Sequence, residues 1–387
     1  MPEVKIIAAF RPVRRRIEKG NDFMSDYRIN GYDLTLEKVA EILADPSPKI
    51  FIAPEAEERC RRSRRQIDRW MEKGAPAIYG VNTGLGALKD VAVPAEKHEE
   101  WNRTLSYPHS AGFGDWLPPQ ITRLALLLRA NVLCQGYSAG RPELIRRLLE
   151  LFEAGIAPAV IPEGCTGLGD LAPMAQCVMV VAGLPEAKAF FRGKLMPARE
   201  ACRKAGLPEE FTLQCKEALM QISGGTMGQA IAVTAHARCL QILGSLRDRM
   251  PKGKRENAKY QAWQETLAFI GAVLEQENNV DSDNPLLFET ENDSFEAVMG
   301  CNSSNTQVGY AMDLLNILVA EMAAEAEPCT PARRQTYLYT QLKFLTMQVS
   351  ADSIPTKGGQ EDHVEFSYTA ALKALKGTEL LEKLLSA

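Results

Sequence analysis

Apolar residues recur every three or four positions along much of this chain. Ile121, Leu124, Leu127 and Leu128 form one such stripe, and Leu144, Leu148, Leu149 and Phe152 another. A repeat near 3.6 residues puts each set on one side of a helix, where it can be buried against a neighbour. Pro142 suits the first turn of the second helix, where a backbone N–H has no intrahelical partner to lose. The same period runs through 227–246, 308–322, 337–347 and 368–385. Alternating runs joined by hairpin turns are scarce, so the pattern predicts a predominantly α protein with long helices packed as a bundle. The charged run 55–69 also has helical spacing and reads as a solvated helix face.

Proline and glycine gather between these stripes, at 46–54, 74–86, 112–119, 155–173 and 223–228. Candidate motifs therefore fall on loops and helix ends, where a rigid scaffold commonly presents chemistry. Residues 250–260 are polar and charged and read as a surface connection. Residues 1–30 read as an N-terminal extension and 31–387 as a single helical domain. Near the start, a short apolar run precedes Arg11, Arg14, Arg15, Arg16 and Lys19, the reverse of the order in a secretory signal.

The chain has 387 residues, 45% of them hydrophobic, enough to bury a sizeable core. No apolar run approaches the roughly 18 to 20 residues of a membrane span. The formal net charge is -4, which gives no basic field to attract nucleic acid or an anionic membrane. Neither is expected as a partner. Nine cysteines are scattered without a C-x-x-C pair and read as reduced thiols in a cytoplasmic protein. No two of the four histidines have metal-ligand spacing, so no metal is expected.

Three motifs carry the candidate chemistry. They are Tyr79-Gly80-Val81-Asn82-Thr83-Gly84-Leu85-Gly86, the run from Pro162 through Gly167-Leu168-Gly169-Asp170-Leu171-Ala172-Pro173, and Gln360-Glu361-Asp362-His363-Val364. The first has spaced glycines but lacks the Lys-Ser/Thr ending of a phosphate loop. Taken alone, Tyr79 would be a packed aromatic and His109 a satisfied core histidine. In combination and order the motifs resemble the histidine/phenylalanine ammonia-lyase superfamily. Pro108-His109-Ser110-Ala111-Gly112, Leu126-Leu127-Leu128-Arg129-Ala130-Asn131, Ser282-Asp283-Asn284-Pro285 and Gly300-Cys301-Asn302 extend the likeness from about residue 33 to about residue 375.

The resemblance implies an all-α long-helix bundle of the fumarase/aspartase-like type, in truncated form, and a homotetramer with active sites shared between subunits. Carried over by motif, Tyr79 is the catalytic base, with Glu361 and His109 as further catalytic residues. Gly84, Leu85, Leu168, Ser223, Asn302 and Gln360 would line the substrate pocket. In that family an Ala-Ser-Gly triad directly before Asp-Leu-Ala-Pro cyclises to an electrophilic methylidene-imidazolone. Here the three residues before Asp170 are Gly167, Leu168 and Gly169, with no serine to dehydrate. Ser223 stands where the family has asparagine, and Leu85 where it has an aromatic residue. No Gln-Asp-x-Tyr-Ser-x-Arg element lies between Leu246 and Asn278, so the arginine that clamps the substrate carboxylate has no counterpart.

The expected function is a lyase-type enzyme without a cofactor, performing elimination, dehydration, isomerisation or cyclisation of a small, biosynthetic substrate. A non-catalytic binding or structural paralogue is one alternative. The other is an amino-acid ammonia-lyase or aminomutase whose triad is displaced to Cys165-Thr166-Gly167. Cys165 itself reads as a buried inert thiol rather than a nucleophile, and Arg103 and Arg129 as scaffold or solvated side chains rather than a replacement clamp.

Overall fold

A computed structural model describes residues 26–165, 167–247, 253–292, 294–300, 302–326, 333–351, 353–356 and 363–386. The first half contains α1 (Leu36–Ala44), α2 (Pro54–Trp70), α3 (His98–Thr104), α4 (Pro119–Leu133), α5 (Pro142–Glu153) and α6 (Leu171–Ala182). After α7 (Ala198–Ala205) and the single turn α8 (Leu219–Ile222) come α9 (Thr226–Arg247), α10 (Lys254–Glu277), α11 (Thr306–Ala326), α12 (Arg333–Phe344) and α13 (Ser367–Leu385). This is the all-α bundle that the periodicity predicts.

Helix α5 shows how the pattern becomes packing. Leu144, Leu148, Leu149 and Phe152 are buried, the helix lies along α4, and Pro142 occupies its first turn. Each such side chain contributes about 1.5–3 kcal/mol when fully withdrawn from water. Helix α9 is of another kind. Every residue from Thr226 to Cys239 is buried, because α4, α10, α11 and α13 enclose it. Its small residues, among them Gly228, Ala230, Ala232, Ala235 and Ala237, let those neighbours approach from several sides. The last helix, α13, packs most extensively on α11 and α9 and locks the bundle.

Among the described residues three small sheets decorate the bundle. Strand β1 (Asp26–Ile29) pairs in parallel with β2 (Lys49–Ile52). Strands β3 (Ala157–Pro158), β4 (Lys188–Phe191) and β5 (Lys194–Pro197) form an antiparallel sheet in that order. Strand β6 (Leu286–Glu289) is antiparallel to β7 (Phe295–Val298), with Leu286 opposite Val298. Strands of two to four residues contain too few alternations for a period of two to stand out.

The structure departs from the sequence reading in two places, and refines it in a third. Strand β1 lies inside the segment read as an extension, and residues 1–25 are outside the described residues. Helix α10 begins at Lys254, within the segment read as a surface connection. Its buried stripe, Trp263, Leu267, Ile270 and Leu274, starts only two turns further on. The charged run on α2 is solvated on one side only: Arg61, Arg65, Asp68 and Arg69 are exposed, whereas Cys60, Ser63, Arg64 and Ile67 are buried. Burial of Arg64 is compensated by its Nη1, which donates to the Cys215 carbonyl at 2.9 Å. Among the described residues no helix is long and apolar enough to cross a membrane, and the seven described cysteines are free thiols.

Candidate active site

The run before α6 forms a tight loop. Gly167 and Gly169 have φ of 107° and 77°, in the left-handed region that side-chain-bearing residues rarely occupy. Leu168 between them is buried. A Cβ at position 167 would overlap Cγ1 of Val364, so the close approach of the 363–366 segment also requires glycine there. The loop is clasped to the start of α9. The Asp170 N–H donates to the Gly224 carbonyl at 2.8 Å, and Asp170 Oδ2 accepts the Gly228 N–H at 2.6 Å. A carboxylate placed on free amides at a helix N-terminus is favourably set in the helix field.

These contacts bring Leu168 and Ser223, two residues expected in the pocket, into one region. Ser303 lies against Gly169, which brings the neighbouring Asn302 to the same loop. Asn302 reaches back weakly to the Val298 carbonyl, at 3.5 Å. Asn305, which the sequence reading passed over, closes the cluster: its Nδ2 donates to the Gly225 carbonyl at 3.3 Å, and its Oδ1 accepts the Ser367 hydroxyl.

Tyr79 arrives on a separate loop. Asn82 shapes it, with Oδ1 accepting the Ile78 N–H at 2.7 Å and Nδ2 donating to the carbonyls of Trp70 and Pro76, both at 2.9 Å. The Gly86 N–H donates to the Tyr79 hydroxyl oxygen at 3.3 Å, which leaves the hydroxyl hydrogen available to another group. Gly80 rests on Leu219, Leu85 and Pro285, so the loop carrying Gly84 and Leu85 packs on α8, the turn that leads into Ser223. His109 reaches the region from a third side. Phe113 pairs with Glu163, and Gly112 abuts Ile161, which ties the 109–114 loop to the run before Gly167. The His109 Nδ1 donates to the Leu105 carbonyl at 2.9 Å, so a neutral ring presents a lone pair on Nε2. Gln360 and Glu361 lie outside the described residues.

Acidic groups dominate the interior here. Burial pushes the Asp170 carboxyl up to about 7 and Asp281 up to about 6. Burial also raises Glu365, which is only 2% exposed and whose Oε1 accepts the Gly169 N–H at 3.4 Å. Sequence reasoning stopped at Glu361 and missed Glu365. Its one signal was a carboxylate between Val364 and Phe366 at the threshold of an apolar helix.

Arg129 is fully buried and bonds the Ser282 carbonyl at 3.0 Å, the Ser223 carbonyl at 2.6 Å, the Met220 carbonyl and the Thr226 hydroxyl. Its guanidinium is thus engaged in holding the two loops, as the scaffold reading anticipates. Arg103 is paired with Glu100 on the surface. The Cys165 thiol donates to the Gly169 carbonyl at 3.2 Å and is pushed up to about 12 by burial and then by Asp170, which keeps it protonated and unreactive. Among the described residues no group of three or more His, Cys, Asp or Glu side chains is placed to hold a metal ion.

A long-helix bundle with a glycine-rich loop clasped to the start of its central helix can be compared with known folds. The family model for aromatic amino acid lyases matches residues 34–247. Over 92% of its length the chain is 32% identical to the histidine ammonia-lyase of Anaeromyxobacter sp. (strain K), covering 87% of that protein. Its fold superimposes on histidine ammonia-lyase from Trypanosoma cruzi with a TM-score of 0.77 at 25% identity, covering 94% of this chain and 83% of that one. Against tyrosine aminomutase from Streptomyces globisporus the TM-score is 0.80 at 20% identity, over 94% and 86% of the two chains. The chain belongs to the aromatic amino acid lyase family.

Proposed function

We propose that this protein catalyses a lyase-type elimination on a small amino-acid-like substrate, with Tyr79 as the base and without the prosthetic electrophile of its family. The observation that carries the second half is the 167–169 loop. An imidazolone there needs a hydroxyl to dehydrate, and the position is filled by buried Leu168. The group does not fit these residues. A shortened chain is supported by the alignment with the Anaeromyxobacter enzyme, which runs over 447 positions although this chain has 387 residues.

In this reading Tyr79 passes its hydroxyl proton to the departing group or to a neighbouring base as it takes one from carbon, the electron pair of the C–H bond forms the new double bond, and the adjacent leaving group departs with the electrons of its own bond. Positioned proton transfer supplies roughly 10²- to 10⁴-fold. That is too little for an ordinary amine leaving next to a weakly acidic C–H bond. The fitting substrate therefore has a proton acidified by a neighbouring ketone or thioester, or a better leaving group. The loop clasp and the His109 Nε2 lone pair supply its surroundings.

A second reading is an amino-acid ammonia-lyase or aminomutase with the triad displaced to Cys165-Thr166-Gly167. The names of sequence relatives favour it, since those of Anaeromyxobacter and Caldanaerobacter are histidine ammonia-lyases. Thr166 lies outside the described residues. Intact mass of the tag-free protein separates the two readings, together with ammonia release from L-histidine, L-phenylalanine and L-tyrosine. The encoded mass of 42.7 kDa without release is expected; a mass lower by two waters with release would establish the second reading. By resemblance the working unit is a homo-oligomer, a tetramer.

A further inference from the structure

Next to the Tyr79 loop lies an ion pair that the elimination does not use. The side chains of Lys216 and Asp283 are fully withdrawn from water, and the ammonium donates to the Asp283 carboxylate and, at 3.3 Å, to the Ser138 carbonyl. Lys216 also has a φ of 67°, a left-handed conformation that a lysine keeps only where its surroundings hold it. Two opposite charges taken out of water add little net stability, and the best-attested use of such a pair is to fix one arrangement of the chain. This pair stands between two loops that carry candidate site residues. On one side the Cys215 thiol donates to the Val81 carbonyl of the Tyr79 loop at 3.2 Å, and Arg64 holds the Cys215 carbonyl in turn. On the other side the second oxygen of Asp283 accepts the Asn284 N–H at 2.7 Å, and Asn284 Oδ1 accepts the Gly300 N–H at 3.3 Å, just before Asn302. Pro285 lies against Gly80, so the two sides also meet directly. Glu217 closes the turn: it accepts the Gln214 N–H at 2.9 Å and pairs with Arg141.

We propose that Lys216 and Asp283 are positioning residues of the site: their ion pair couples the Tyr79 loop to the loop that leads into Asn302, and so sets where the base stands relative to the substrate pocket. The inference rests on the lyase reading only in taking Tyr79 as the base and Asn302 as a pocket residue. Its test is read from the loops themselves, so it stands or falls separately from turnover.

The pair is removed as a unit in the full chain by combining Lys216→Met with Asp283→Leu. Each change alone strands one buried charge and should lower the urea midpoint, whereas the double variant should recover most of that loss. A pair that served stability alone would then leave the loops as they are in the wild type. The expected result is instead a loss of roughly tenfold in amide-exchange protection, the scale of one charge-assisted hydrogen bond, confined to 78–86 and 294–300 while α4 and α9 keep theirs. With 3-fluorotyrosine in place of Tyr79, the single fluorine resonance of the wild type should broaden or divide in the double variant. Protection equal to the wild type in either loop overturns the proposal, as does an unchanged fluorine resonance or a loss spread evenly over the chain. If the double variant fails to fold, Asp283→Asn replaces it. That change keeps an acceptor for the Asn284 N–H and removes the charge that holds Lys216, and unchanged protection in the two loops then overturns the proposal.

Discussion

Tyr79 and Gly167 make the sharpest demands at the scale of single residues. Tyr79→Phe keeps the ring that fills the loop and removes the oxygen that accepts the Gly86 N–H. Turnover should fall by roughly 10²- to 10⁴-fold while the circular dichroism spectrum is unchanged; an unaltered rate would remove Tyr79 from the mechanism. Gly167→Ala meets both a left-handed φ and the Val364 side chain, and should cost about 1–3 kcal/mol in urea unfolding. Adding Val364→Ala should recover part of that loss. Strict additivity of the two changes would mean that they do not touch. The motif residues were legible in the sequence because their types and order are informative. Glu365 and Asn305 were not, since they act through backbone groups that only the folded loops bring near.

Arg129 joins elements rather than residues. It bonds carbonyls at the end of α8, in the loop to α9 and at Ser282, all buried within the bundle. Arg129→Met preserves the apolar stem and leaves those acceptors unmet. The expected destabilisation is at least about 3 kcal/mol, from several buried groups at about 1–3 kcal/mol each. A chemical-denaturation midpoint equal to that of the wild type would show that the acceptors find water instead. Helices with one apolar side, such as α5, could be read from spacing because burial of one side imposes the period. The small strands could not, because two to four residues contain too few alternations to leave a repeat.

For the molecule as a whole, the buried acids fix how stability responds to pH. Asp170 and Asp281 are raised to about 7 and about 6, and Glu365 is raised as well. Such groups bind more protons folded than unfolded, so their penalty is absent below the unfolded range near 4 and grows until the pH passes the folded value. The melting temperature should therefore fall from pH 5 to pH 8, and Asp170→Asn should flatten the decline. Burial lowers His98 and His236, which favours the folded state as pH rises through the imidazole range, so a wild-type melting temperature that is constant or rises would show that the carboxyls do not dominate the response.

The enclosure of α9 also has a consequence for how the protein is made. From Thr226 to Cys239 its residues are buried on all sides, yet α13, one of its main neighbours, begins about 120 positions after α9 ends. At typical synthesis rates the ribosome needs on the order of ten seconds to supply that partner. During that interval the nascent chain carries an apolar helix without its cover. Chaperone capture during translation is therefore expected between the emergence of α9 and that of α13, and the 167–169 loop, which Val364 and Glu365 complete, is among the last parts to take its final form.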